Sequence, residues 1–154
     1  MERARTQILV AAADLVAAGG RRAVTMASVA RTSAVAKATV YNHFRDRDEV
    51  LHALLESEAG HLVTHCAAAP TDERLQAAAR WLTSSPVIDG LRRHDPATLV
   101  SVANRAAAEP AVHEVVAGWC APDRSSADAL RWLVSFAVVP GEPGELPCWG
   151  EGSL

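Results

Sequence analysis

The sequence predicts an all-α fold: a three-helix, helix-turn-helix DNA-binding domain followed by a short, divergent helical domain. Three observations predict it. Apolar residues recur at spacings of three and four through most of the 154 residues, the period of an amphipathic helix. Capping residues, glycines and prolines cut that pattern into short segments. Between Thr25 and Phe44, two such segments flank a tight turn, and the second has an apolar back (Val40, Phe44) and a hydrogen-bonding front.

The first helix spans about residues 4–18, with Ile8, Ala11, Ala12, Leu15 and Val16 as its stripe. Gly19-Gly20 ends it, because glycine takes the left-handed conformation readily. Thr25 is placed to cap a second helix that runs through Val29 and Ala30 to about Thr32. The chain turns at Ser33-Ala34, and a third helix runs from about Ala36 to Phe44. Asp46 and Glu49 form a capping-box pattern for a fourth, whose apolar face is Val50, Leu51, Leu54, Leu55 and Leu62. That helix extends to His65 or Cys66.

Residues 67–71 read as a linker. Asp72 then caps a helix with Leu75, Ala78, Ala79 and Leu82 as its stripe. Ser84-Ser85-Pro86 breaks the chain ahead of a short helix over 86–93. Asp95-Pro96 and Glu109-Pro110 each open a further helix, proline being suited to a first turn. These run to about Ala108 and Trp119. After Ala121-Pro122-Asp123, Ser125 or Ser126 caps a last helix carrying Ala129, Leu130, Leu133, Val134 and Ala137. From Pro140 the run P-G-E-P-G-E-L-P cannot continue a helix. The expected division is therefore 1–48 for DNA binding, 49–139 for an effector and dimerisation domain, and 140–154 for an irregular tail.

Bulk properties narrow the function. The hydrophobic share of 49% suits a globular chain, and no apolar run approaches the roughly 20 residues of a membrane span. The charged start, Met1 to Thr6, is unlike a secretory signal. Cys66, Cys120 and Cys148 are far apart and lack metal-ligand spacing, which favours a reduced, cytoplasmic setting. The net charge of −3 conceals an asymmetry: eight Arg or Lys against five acids in residues 1–50, and seven against thirteen in the rest. A basic front on an acidic body orients a protein toward a polyanion.

Chemistry-bearing motifs are few. No H-E-x-x-H, G-x-S-x-G, phosphate loop or convincing carboxylate pair is present, so an enzyme is not expected, nor is a cofactor. His61 and His65 share a helix face at i and i+4, and Cys66 or His113 could complete a metal site. Two solvated histidines are the favoured reading, and no metal is assigned. Trp81, Trp119 and Trp132, with His61 and His65 nearby, either line a pocket for a small apolar ligand or fill a small core.

On the third helix, Lys37 in the first turn reaches toward a guanine edge or a phosphate. Ala38 and Asn42 face the groove by spacing; alanine packs a thymine methyl and asparagine pairs with adenine.

Over residues 4–55 the chain resembles the N-terminal domain of the tetracycline-repressor (TetR) family. The resemblance rests on Ile8, Ala11, Ala12, Leu15, the Gly19-Gly20 pair, Thr25, Val29-Ala30, Val35, Lys37-Ala38-Thr39-Val40-Tyr41, His43-Phe44 and Asp46-Arg47-Asp48-Glu49-Val50-Leu51. It implies that Thr39, Tyr41, His43, Thr25 and Arg47 grip phosphates. It also implies a homodimeric repressor acting on a double-stranded operator and released by a small molecule. The last helix, 126–138, is the candidate dimer face, with an intramolecular core helix as the alternative. Two departures stand out: family members usually carry glycine where Ala34 stands, and often serine where Ala36 stands. They sustain a second functional reading, a TetR-like dimeric ligand-binding or interaction protein without specific operator binding. The resemblance further implies a final dimer helix, and no stretch after residue 138 reads as one, so a small or differently built dimer is expected.

Overall fold

The computed structural model describes residues 2–121 and 125–141. Among these, nine α-helices and one 3-10 turn account for the regular structure: α1 (Glu2–Ala23), α2 (Met26–Ser33), α3 (Lys37–His43), α4 (Arg47–Ala67), the turn Thr71–Glu73, α5 (Arg74–Ser84), α6 (Pro86–His94), α7 (Pro96–Ala108), α8 (Pro110–Ala117) and α9 (Ser126–Val138). The expected tail lies outside the described residues beyond Gly141, as does Cys148. No described helix is long and apolar enough to cross a membrane.

The expected stops and starts hold with local adjustments. Helical geometry in α1 is interrupted at Gly19 (φ −155°, ψ 19°) and Gly20 (φ 65°, ψ −165°) before a last turn to Ala23. Asp46 accepts from the Glu49 N–H at 2.9 Å, but the Glu49 carboxylate accepts from the Arg45 N–H at 2.6 Å, one residue earlier than a capping box requires. Asp72 caps nothing: it sits within the 3-10 turn, and α5 starts without a side-chain cap. Ser85 caps α6, accepting from the Ile88 N–H at 3.4 Å and donating to a Glu58 carboxylate oxygen of α4 at 3.3 Å.

Two apolar cores result. The first gathers Ile8, Leu9, Ala12 and Val16 of α1 with Val29, Val40 and Phe44, the early α4 residues Val50, Ala53 and Leu54, and Val87, Leu91 and Leu99 from α6 and α7. The second gathers Cys66 at the end of α4 with Leu75, Ala78 and Ala79 of α5, Val116 of α8, and Ala129, Leu130, Trp132, Leu133 and Phe136 of α9. Burial pushes the Cys66 thiol up from its ordinary value, so it stays a protonated core group.

Of the two readings of the last helix, the intramolecular core describes most of α9: Ala129, Leu130, Trp132, Leu133, Phe136 and Ala137 are all buried within the chain, and Trp132 packs edge-on against Phe136 at 4.7 Å. What α9 leaves fully exposed is Arg131 and Ser135. An amphipathic stripe is satisfied equally by its own chain or by a partner, and here its own chain takes it.

Helix α6 joins the helix-turn-helix to the rest. At Gly90 a Cβ would overlap the Val16 carbonyl oxygen and stand 2.6 Å from Ala17 Cα, so α6 lies backbone to backbone on α1. Gly20 makes the matching approach from α1, where a Cβ would meet His94 Cβ at 2.6 Å. Gly90→Ala is expected to lower stability by about 1–3 kcal/mol or more through overpacking. Gly60, mid-helix in α4 with nothing within 4 Å of its missing Cβ, is the matched control: Gly60→Ala should raise stability by about 0.5–1 kcal/mol. Urea midpoints for the two variants would check the opposite signs.

Candidate nucleic-acid interface and apolar groove

Helix α3 is seven residues long and is held by its back. Val40 is fully buried and Phe44 nearly so, and Val35 packs onto the same core. The opposite side carries Lys37, Ala38, Tyr41 and Asn42, all exposed, with Thr39 and His43 half-buried at the margins. Tyr41 is 48% exposed and lies under the Lys37 ammonium, 5.9 Å from the ring centroid. It therefore stands on the surface beside Lys37.

The supporting turn is built from local hydrogen bonds. Thr25 caps α2 by accepting from the Ser28 N–H at 3.0 Å, and the Ser28 hydroxyl accepts in return from the Thr25 N–H at 2.8 Å. In this serine-for-glutamate version of the capping box Thr25 is exposed and Ser28 buried, and Ser28 also donates to the Ala23 carbonyl at 2.8 Å. Thr25 thus spends its groups inside the cap; to bind a phosphate its hydroxyl would turn from Ser28 Oγ, 3.0 Å away. The residue order alone did not single out Ser28, because a capping box is ordinarily sought as Glu or Gln.

Ala34 takes the left-handed conformation, φ 54° and ψ 25°, and among the described residues it is the only non-glycine with positive φ. Its N–H reaches the Arg31 carbonyl at 3.4 Å, and Ser33 Oγ accepts from Val35 N–H at 3.3 Å. Ala36 stands at the α3 N-cap with no side-chain cap hydrogen bond.

The first four helices carry several cationic groups. Arg47 begins α4, but its guanidinium is held by Asp48 at 3.3 Å, and Arg21 reaches the same carboxylate at 3.7 Å. Lys37, Arg31, Arg22, Arg3 and Arg5 have no acidic partner within 4 Å among the described residues. Arg5 is a group that the residue pattern did not single out: its guanidinium lies 5.6 Å over the Phe44 ring, which sets the start of α1 beside the end of α3. The Asp46 carboxyl is held below its ordinary value, chiefly by the Glu49 backbone N–H with help from Arg45.

The second candidate site is a half-open apolar groove of about 340 Å³ between α4, α5, α7, α8 and α9, lined by Leu62, Val63, Leu82, Ala103, Val115, Trp119, Leu133 and Val134 among others. Every lining side chain is hydrocarbon or indole. Of the residues the sequence offered as pocket-forming, Trp119 lines it; His61, His65, Trp81 and Trp132 do not. The helical period explains this correction. On α4 the groove takes Ala59, Leu62 and Val63, which leaves His61 and His65 exposed on another side, with His61 beside Glu58 at 3.7 Å. His113 is elsewhere, its Nε2 2.9 Å from the Ala107 carbonyl oxygen and its Nδ1 3.2 Å from Ser126 Oγ. No group of three potential metal ligands occurs among the described residues.

A short helix with a buried apolar back, docked across a tight turn on a capped supporting helix, defines a helix-turn-helix DNA-binding domain. Residues 8–54 match the protein-family model TetR_N, described as bacterial regulatory proteins, tetR family. The chain thus carries the N-terminal domain of that family, whose members are DNA-binding transcriptional regulators. No curated protein and no solved structure matches it.

Two substitutions test the turn. Ala34→Gly relieves the left-handed alanine and should stabilise by about 1 kcal/mol. Ala36→Ser supplies the missing cap and should stabilise by a similar amount, about 1 kcal/mol. Denaturant titration of the single and double variants checks both, and near-additivity is not expected for sites two residues apart. The Asp46 cap adds a pH signature. Its depressed pKa means the contribution is present at neutral pH and lost as pH falls through the lowered folded value. Asp46→Asn should therefore flatten the acid limb of a melting-temperature profile.

Proposed function

We propose that the protein is a transcriptional repressor that binds an operator as a homodimer in the cytoplasm and is released by a small apolar ligand held in the groove. The observation that carries the DNA reading is the exposed row Lys37, Ala38, Tyr41 and Asn42 on a helix whose back is locked into the first core. Asn42 and Ala38 are the base-reading groups, suited to an adenine edge and a thymine methyl. Lys37 takes a guanine edge or a phosphate. Thr25, Thr39, Tyr41, His43 and Arg47 grip phosphates, Arg47 exchanging Asp48 for the backbone oxygen, and Arg5 extends that grip from α1.

The dimer follows from the size of the reading head. Seven residues of α3 contact too few bases for a specific site, and two copies in successive major grooves about 34–36 Å apart supply the rest. The groove supports the ligand half of the proposal: hydrocarbon walls select an uncharged molecule with little hydrogen-bonding capacity.

Ala34 and the uncapped Ala36 favour one alternative, a dimeric ligand-binding or interaction protein of the same fold without a specific operator. Fluorescence anisotropy against the promoter duplex flanking its own gene separates the two readings. The repressor reading expects that duplex to be preferred over random sequence at every salt concentration; equal affinity for both would leave the alternative.

Within the repressor reading, Asn42→Ala should cost about 1–3 kcal/mol on the best site and relax preference at one base position of each half-site. Arg47→Ala should weaken all sequences alike and reduce the slope of log affinity against log salt by about one per subunit. Equal loss on every sequence for Asn42→Ala would show that it reads no base.

A further inference from the structure

Arg92, on α6, belongs to neither site yet touches the framework of the groove. Its side chain is only 12% exposed. Nε donates to the Ala137 carbonyl at 3.1 Å, and Nη2 donates to the carbonyls of Phe136 at 3.3 Å and Leu82 at 3.4 Å. Nη1 is steadied by Asp89 at 3.2 Å. One guanidinium therefore ties down the C-terminal ends of both α5 and α9, where carbonyl oxygens lack helical partners and carry the negative end of the dipole.

Two of those three carbonyls belong to residues whose side chains line the groove, Leu82 and Ala137. The same α6 residue run holds α1. Gly90 lies on the Val16–Ala17 backbone, Arg93 donates to the Ala17 carbonyl at 3.4 Å, and Val87 and Leu91 enter the first core beside Val16. Displacing α5 or α9 around the groove moves the acceptors of Arg92, and α6 cannot shift without shifting α1.

We propose that Arg92 is the positioning residue that couples occupancy of the groove to the placement of the helix-turn-helix. It rests on the reading of the groove as a ligand site. An occupied groove spreads α5 and α9, weakens one or more of the three carbonyl hydrogen bonds, and lets α6 and α1 settle differently against α4. Lysine cannot replace it, because a single ammonium lacks the planar fork that reaches two helix ends together.

Two measurements test the coupling. The first needs neither DNA nor ligand: hydrogen exchange of the full chain, compared with Arg92→Met. Amides of α1 around Val16–Gly20 should exchange about tenfold faster in the variant while it remains folded, and Arg92→Lys should not restore them. Faster exchange confined to the ends of α5 and α9 would overturn the proposal. The second uses Ala103→Phe, a side chain projecting into the groove, as a permanent occupant. In the parent chain it should change affinity for the promoter duplex about tenfold, and in the Arg92→Met background less than about twofold. An equal effect in both backgrounds, or none in either, would overturn the coupling. A parent chain that binds promoter and random duplex alike would overturn the repressor reading instead, and the exchange comparison would still decide the coupling.

Discussion

The arrangement depends on one close approach, the backbone of α6 at Gly90 against the backbone of α1 at Val16 and Ala17. A three-helix unit of about fifty residues buries little surface on its own. Here it recruits Val87, Leu91 and Leu99 from later in the chain to complete its core. The reading head is thus not a bead on a linker but one end of a continuous packed body. Glycine at 90 is what permits the approach, since any Cβ would occupy the place of the Val16 carbonyl oxygen.

Helix α4 gives the body its length. Its first turns sit in the first core through Val50, Ala53 and Leu54, and its last turn sits in the second through Cys66. Between them it presents Leu62 and Val63 to the groove. The groove stays open because the residues facing it on α7 and α8 are mostly small: Ala103, Ala106, Ala107 and Ala111. Small side chains at helix faces either permit close packing or leave space, and here they leave space.

How legible this was in the residues depends on the range of the interactions. The Thr25 and Asp46 caps, the Gly19-Gly20 stop and the left-handed demand at Ala34 act over a few positions, so order alone reveals them. The packing of α9 is settled at longer range. One face carries Ala129, Leu130, Leu133, Val134 and Ala137, while Trp132 and Phe136 extend the apolar surface around the helix. That wider arc was the available signal for a helix enclosed by its own chain. Residue type alone sets the α4 histidines near a ligand, whereas the angle around the helix decides what faces a cavity. The Arg92 contacts join residues 44 and 45 positions apart, and no local pattern announces an arginine whose acceptors are backbone carbonyls.

Lys37 is the only lysine in the chain, and it stands exposed on the reading helix over the Tyr41 ring. The molecule therefore carries one side-chain amine, placed where nucleic acid would shield it. Acylating reagents that mark amines would modify only this side chain besides the α-amino group, and peptide mapping of the mass added at Lys37 would report on the reading face. Crosslinkers, immobilisation resins and amine-directed dyes that act on side-chain amines would attach at that same face, which argues for coupling the protein through other chemistry whenever its DNA contact is to be kept.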